Sequence, residues 1–223
     1  MTLKFLILER KMQTTIKNLN TACLSEVKRY YDNGTGLKSV KLKNYTSGDG
    51  NNEGMESMVE RLIWLTIDSL GIDRDRVEVD QEYFKGKDPL DDPQRMDFHI
   101  WIDGKVPVVI ESRAWIDKPF YLLKRAVVRN FMTLPYVRQH LVEKPKFIFV
   151  GLCIDIKDRL RLTSDKTMGF GEYVHDVKFS PFRRNHKKGN YFDHGFSTQG
   201  VSNFVDLLVD SFAPYAQITG EKA

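Results

Sequence analysis

Cysteine is scarce in this chain, and neither cysteine is placed for disulfide or zinc chemistry. Only Cys23 and Cys153 occur among 223 residues, and they form no CxxC pair. A disulfide framework is therefore not indicated, and no histidine lies near enough to suggest a zinc site. A reducing compartment, and hence a cytoplasmic location, is the expectation.

Long apolar runs are also lacking. The opening run Phe5–Leu8 is followed directly by Glu9, which makes it too short for a signal segment. No stretch approaches the roughly 20 apolar residues of a membrane-spanning helix, so no association with a membrane is expected. Charge of one sign is not in large excess: 34 Lys and Arg against 30 Asp and Glu give a net charge of +4. This mild bias is compatible with an anionic partner.

Several familiar catalytic motifs do not occur. The chain has no GxGxxG, Walker or GxSxG sequence, so dinucleotide, nucleoside triphosphate and serine-hydrolase chemistry are not indicated. His186 and His194 are too sparse for a histidine–metal nuclease of the HNH type.

Two short apolar runs, residues 97–102 and 106–113, are the most informative part of what is present. Both are rich in Ile, Val, Phe and Trp, and the Asp103-Gly104 pair between them indicates a β-hairpin. Strand side chains alternate between faces, so the aliphatic positions of both runs define one core face. A two-residue loop would shift the pairing by one residue. A three-residue bulged turn, Ile102–Gly104, with glycine in the left-handed conformation, is therefore predicted.

Three charged side chains, Asp97, Glu111 and Arg113, fall together on the opposite face. Mg²⁺ is commonly held by one or two carboxylates together with phosphate and water, and it activates water and neutralises charge on phosphate. A guanidinium on the same face can stabilise that charge. The pattern predicts a Mg²⁺-dependent phosphodiesterase. The alternative is a surface salt bridge between Arg113 and either acid, but the following Ala114-Trp115 favours a less solvated, functional strand end.

The spacing also resembles a known family. Asp97, thirteen intervening residues and then Glu111-Ser112-Arg113 is similar to the PD-(D/E)xK nuclease signature of type II restriction endonucleases. Arg113 stands where the family has Lys, and the nearest preceding proline is Pro93, four residues before Asp97. Arginine does not give up its proton in proteins, so Arg113 is expected to act as a fixed cation.

The resemblance covers about residues 53–155 and implies an α/β fold, a mixed central β-sheet flanked by helices. It implies one or two Mg²⁺ ions held by Asp97 and Glu111, with Arg113 completing the catalytic set. The implied activity is hydrolysis of double-stranded DNA at a specific, palindromic site by a homodimer. Residues 1–223 are expected to form a single nuclease domain, with 156–223 as an extension that contacts DNA and packs on the core.

Periodicity and turn residues predict the remaining elements and support this fold class. Strand, helix and strand follow one another after the hairpin, which predicts a crossover unit with parallel strands. The predicted helices cover 14–31, 53–70, about 117–132 and 197–213, and the further strands cover 77–80 and 147–154.

Two acids of the second helix are candidates for a supporting role. Glu56 lies at the edge of the apolar stripe of residues 53–70, and Glu60 lies one step further out. In the resembled family a helix glutamate approaches the metal through water, which either residue could do. The alternative is a solvated acid that meets the helix dipole favourably.

Two basic stretches are candidates for contact with DNA. Lys124, Arg125 and Arg129 lie on the helix after the hairpin, where a solvated outer face is the preferred interpretation. Residues 178–194 mix basic, aromatic and amide side chains, which suits phosphate contacts and base readout. The predicted DNA-binding residues are Lys178, Arg183, Arg184, Asn185, His186, Lys187, Lys188 and Asn190.

Two alternative functions stay open. One is another PD-(D/E)xK-type DNA nuclease, such as a repair or junction-resolving enzyme. The other is a non-catalytic DNA-binding protein that has lost the motif lysine. Cleavage of any duplex or of branched DNA favours the first, and DNA binding without Mg²⁺-dependent cleavage favours the second.

Overall fold

The computed structural model describes residues 3–32, 52–81, 96–116, 118–154, 169–179 and 197–216. The strands are β1 (Val77–Gln81), β2 (Phe98–Ile102), β3 (Lys105–Ile116), β4 (Leu141–Ile154) and β5 (Val174–Lys178). The helices are α1 (Leu3–Asp32), α2 (Asn52–Ser69), α3 (Lys118–Thr133), α4 (Pro135–Arg138) and α5 (Thr198–Phe212). Short 3₁₀ turns cover Arg74–Arg76, Phe170–Tyr173 and Ala213–Tyr215.

The five strands form one mixed sheet in chain order. The pairs β1–β2 and β2–β3 are antiparallel, whereas β3–β4 and β4–β5 are parallel. Helix α3 connects β3 to β4, as expected for parallel neighbours that cannot be joined by a tight turn. The predicted fold class, a mixed sheet flanked by helices, is confirmed.

Each face of the sheet is covered by its own set of helices. Apolar side chains of α1, α2 and α5 pack with Phe98, Ile100 and Ile110 on one face. On the other face α3 and α4 pack against Phe147 and Phe149. Burial of such aromatic and aliphatic groups contributes roughly 1.5–3 kcal/mol per side chain, so both layers stabilise the sheet.

Several element boundaries differ from those predicted. Helix α1 begins at Leu3 rather than at residue 14, because no glycine or proline before Gly34 interrupts it. Strand β4 begins at Leu141 rather than at residue 147, and its pairing with β3 is irregular between Val106 and Val108. That irregularity accommodates Pro145, which has no N–H to donate to the ladder.

The hairpin keeps the predicted side chains on the predicted faces, but the predicted three-residue turn is wrong. The turn has two residues, Asp103 and Gly104, with φ of 52° and 72°. Positive φ at both positions is typical of a type I′ turn. The extra residue lies within the hairpin instead, where the register shifts between Ile100 and Ile102 opposite the segment that contains Pro107. A proline is tolerated at such a bulge because no ladder hydrogen bond is lost.

Helix α5 closes the fold against β5. Ser197 caps the helix by accepting a hydrogen bond from the N–H of Gly200 at 3.0 Å. A Cβ at Gly200 would lie 1.9 Å from the carbonyl oxygen of Lys178, so only glycine permits this approach. In the described part of the chain, no helix combines the length and apolar character that crossing a membrane requires.

Candidate active site

Strand pairing brings the two predicted acids to one face of the sheet. Phe98 of β2 pairs with Ile110 of β3, and this register places Asp97, directly before β2, across from Glu111. The prediction that the two acids share a face is confirmed. Their side of the sheet is the one covered by α3, since Phe149, the β4 partner of Glu111, packs there.

The carboxylate of Asp97 is held by the strand that carries Glu111. The N–H of Ser112 donates to Oδ2 of Asp97 at 2.6 Å, and the Ser112 hydroxyl donates to the same oxygen at 3.2 Å. Burial, and after it the negative charge of Glu111, raise the pKa of Asp97 from 3.8 to about 7. The Ser112 N–H, Arg113 and Lys124 act in the opposite direction. Two neighbouring carboxylates, one half-buried and one fully buried, disfavour being charged together.

Glu111 is fully buried and meets two cations. Arg113 donates from Nε to Oε1 of Glu111 at 3.1 Å. The amino group of Lys124 lies 2.9 Å from Oε2. Each oxygen of this carboxylate therefore has a different positive neighbour, although the contact of Lys124 with Oε2 is an ion pair without the geometry of a hydrogen bond. Arg113 keeps 33% of its side chain exposed, so its guanidinium can also reach a bound molecule.

The interpretation of α3 as carrying a solvated basic face is wrong for Lys124 and Arg125. Both are buried, and each forms an ion pair with an acid of the sheet. Lys124 contacts Glu111, and Arg125 contacts Asp176 of β5 at 2.9 Å. The reason is electrostatic: buried carboxylates need cationic partners, and α3 is the layer that covers them.

A sequence signal for the burial of Lys124 did exist. Val128 and Phe131 are buried on α3, and they follow Lys124 by four and seven residues. These spacings place all three on one side of a helix. What the sequence does not indicate is which acid the amino group would meet.

The remaining predicted site residues stand in different positions. Glu56 and Glu60 are half-buried on α2, which packs against the other face of the sheet, and their supporting role stays a prediction. Lys178 is half-buried at the end of β5. The other predicted DNA-binding residues, between 183 and 190, lie outside the described residues.

The donor set fits a hard divalent cation. Such ions take carboxylate oxygens and complete their shell with water and phosphate oxygens. Asp97 and Glu111 supply the two carboxylates; burial is the main cause of the raised pKa of Asp97, and the smaller contribution, repulsion from Glu111, is the kind that a bound cation offsets. Within the described ranges, no group of three or more His, Cys, Asp or Glu side chains is placed to hold a metal ion, so the candidate donors are the two carboxylates alone.

Comparison with known proteins adds no relative. No protein-family model matches the chain, and no curated protein is significantly similar to it in sequence. Function is therefore inferred from the chemistry of the side chains around Asp97 and Glu111.

Proposed function

We propose that this protein is a type II restriction endonuclease that hydrolyses phosphodiester bonds of double-stranded DNA with Mg²⁺. The observation that carries the proposal is the facing pair Asp97 and Glu111, with the Ser112 N–H bound to Asp97 and two cations bound to Glu111. Asp97 and Glu111 would hold the ion. Mg²⁺ supplies activation of the attacking water and neutralises charge on the phosphate.

A purely structural role explains this arrangement less well. Surface ion pairs contribute about 0–1 kcal/mol, whereas a buried pair usually stabilises no more than apolar residues of similar volume. Here Glu111 is buried with two cations, and a second acid with a raised pKa stands beside it. Perturbed groups of this kind cluster at functional sites.

The side chains of the site have different roles in the proposed hydrolysis. Ser112 fixes the orientation of Asp97 through two hydrogen bonds to one oxygen, leaving the other oxygen of that carboxylate for a ligand. Arg113 cannot accept a proton, so it acts as a fixed donor that stabilises charge on the phosphate. A bond forms between the water oxygen and phosphorus, and the bond from phosphorus to the leaving sugar oxygen breaks. The attacking water gives up a proton to solvent, and the leaving oxygen takes up a proton from solvent.

The basic segment 178–194 is proposed to contact DNA. The position of the described residues at its start and just after its end supports this. Arg113 pairs with Gly151 of β4, and Gly151 pairs with Lys178 of β5, so one row of the sheet joins the candidate site to the segment. Phe179 donates to the carbonyl of Gly151 at 2.7 Å, and Ser197 donates to the carbonyl of Phe179 at 2.6 Å. The residues that border the segment are thus fixed beside the site. A homodimer that matches a palindromic site completes the proposal.

The test is incubation of supercoiled plasmid DNA with the protein in Mg²⁺ or in EDTA. The wild type should give discrete fragments in Mg²⁺ alone. Asp97→Asn and Glu111→Gln should each abolish cleavage while retaining DNA binding in EDTA. The matched control is Asp206→Asn, at an exposed acid of α5, which should cleave like the wild type.

Other outcomes separate the alternatives. A smear of fragments, or preference for branched DNA, would indicate a nuclease of the same chemistry without a fixed site. DNA binding with no Mg²⁺-dependent cleavage would contradict the enzyme and indicate a binding protein. Cleavage retained in both acid variants would remove Asp97 and Glu111 from the mechanism.

A further inference from the structure

Lys124 occupies a position that the strand motif does not account for. It belongs to α3, yet its amino group lies 2.9 Å from Oε2 of Glu111 on β3, with 11% of its side chain exposed. Arg113, from the motif itself, takes the other oxygen at 3.1 Å. Glu111 therefore has one cation from its own strand and one from the covering helix.

The neighbouring residue of α3 fixes this position. Arg125 is buried and pairs with Asp176 at 2.9 Å. Glu111 pairs with Phe149 of β4 and Phe149 pairs with Asp176, so both acids belong to one row across the sheet. Two consecutive cations of α3 thus bind two acids of the same row. Because Arg125 anchors the helix at one end of that row, Lys124 is held over Glu111.

We propose that Lys124 is a positioning residue of the nuclease site and serves as its second cation, so that one Mg²⁺ ion per chain suffices. This inference rests on the proposed function and specifies its metal stoichiometry. Lys124 acts through Glu111: it fixes the orientation of the carboxylate and adds positive charge where the phosphate is attacked.

A count of charges supports a single ion. With both acids ionised, Asp97 and Glu111 contribute two negative charges, which Arg113 and Lys124 balance. One Mg²⁺ then leaves an excess of two positive charges. A phosphodiester carries one negative charge and attack by deprotonated water adds a second, so the excess matches the reacting group. A second ion would raise the excess to about four positive charges, which is more than the two negative charges of the reacting group offset.

The experiment compares the wild type with Lys124→Gln and Lys124→Arg. Glutamine keeps a hydrogen-bond donor without charge, and arginine keeps the charge. Lys144→Gln, at an exposed lysine of β4, is the matched control. Binding of Mn²⁺, which accepts the same oxygen ligands, is measured by the loss of the free-ion electron paramagnetic resonance signal. Single-turnover plasmid cleavage in Mg²⁺ and DNA binding in EDTA are measured on the same preparations.

The expected result is a split between metal binding and catalysis. The wild type should bind one Mn²⁺ per chain. Lys124→Gln should bind Mn²⁺ several-fold more tightly, because a like charge has been removed. Its cleavage rate should nevertheless fall roughly 100-fold, the scale seen when one electrostatic donor is lost, with DNA binding unchanged. Lys124→Arg should recover most of the rate, and Lys144→Gln should match the wild type throughout. A merely structural lysine would not move affinity and rate in opposite directions.

Two results would overturn the inference while leaving the nuclease intact. One is two Mn²⁺ ions bound per chain of the wild type, and the other is cleavage by Lys124→Gln at the wild-type rate. Absence of cleavage by the wild type in both Mg²⁺ and Mn²⁺ would overturn the proposed function, and this inference with it. If Lys124→Gln does not fold, the stoichiometry of the wild type and the rate of Lys124→Arg still decide the question.

Discussion

Replacing Asp97 by Asn should stabilise the metal-free protein above pH 7. Burial and the charge of Glu111 raise the pKa of Asp97 from 3.8 to about 7 in the folded chain. Below pH 4 the carboxyl is protonated in both folded and unfolded states, so it does not lower the free energy of unfolding. Between pH 4 and 7 only the unfolded state releases the proton, and stability falls as pH rises. Above pH 7 the carboxyl is ionised in both states and the loss of stability no longer changes with pH. Asparagine carries no charge, so the variant does not suffer this loss.

The magnitude follows from the size of the pKa shift. About three units at 1.36 kcal/mol each set an upper limit of about 4 kcal/mol. Asp97 is only half-buried, so solvent screening reduces the expected gain to roughly 2 kcal/mol. In a chain of this size that gain raises the midpoint of thermal unfolding by about 4–8 °C. At pH 5 the gain should be smaller than at pH 8, because the carboxyl of Asp97 is then partly protonated in the folded chain.

The assay is thermal unfolding in EDTA at pH 5 and pH 8. Asp206→Asn serves as the exposed control and should match the wild type at both values. Adding Mg²⁺ at ten times its dissociation constant should stabilise the wild type by about 1.4 kcal/mol and Asp97→Asn much less. Equal loss of stability in Asp97→Asn at both pH values would refute the reasoning, because it would show that Asp97 is a favourable charge in the fold.

The other predictions concern the scaffold that holds the site. Gly200→Ala should destabilise the fold by about 1–3 kcal/mol in denaturant unfolding, because its Cβ would meet the Lys178 carbonyl oxygen at 1.9 Å. Gly104→Ala, where φ is 72° and the space is open, should cost only about 1–2 kcal/mol. Arg125→Met should cost about 3–5 kcal/mol by leaving the Asp176 charge buried. Asp176→Asn added to Arg125→Met should recover part of that loss; equal stability of the single and double variants would contradict the ion-pair account.

Local chemistry made much of the fold predictable from the sequence. Helix α2 ends where expected because Gly71 adopts φ of 66° and Ile72 donates to the carbonyl of Ile67. Helix α5 begins directly after Ser197, its N-cap, within one residue of the start of the predicted helix 197–213. These signals lie within a few residues of the boundary that they set.

The facing acids were predictable because alternation along a strand propagates over the whole hairpin. The position of the compensating bulge was not, since one extra residue can be absorbed at several points between turn and site. Asp103 and Gly104 both adopt positive φ, which closes a two-residue turn and moves the bulge towards Pro107. The alternation of side chains between faces requires one extra residue in the hairpin, but it does not determine where the bulge lies.

The second cation of the site was beyond sequence reasoning for a different reason. Lys124 and Glu111 come from a helix and a strand, and the side chain must cross between layers to make the contact. Helical spacing from Val128 and Phe131 indicates only that Lys124 faces inward. Which carboxylate it meets depends on how α3 is anchored, and Arg125 with Asp176 determines that through a long-range ion pair.

Joint binding of one divalent cation by Asp97 and Glu111 is the claim on which the proposed activity depends. Iron-mediated cleavage of the polypeptide tests it directly: Fe²⁺ takes the place of Mg²⁺, and ascorbate with peroxide generates radicals that cut the backbone beside the ion. Cuts are expected near residues 97 and 111; excess Mg²⁺ should suppress them, and Asp97→Asn should abolish them. Cuts confined to other segments, or cuts at these two places that persist in Asp97→Asn, would contradict this claim.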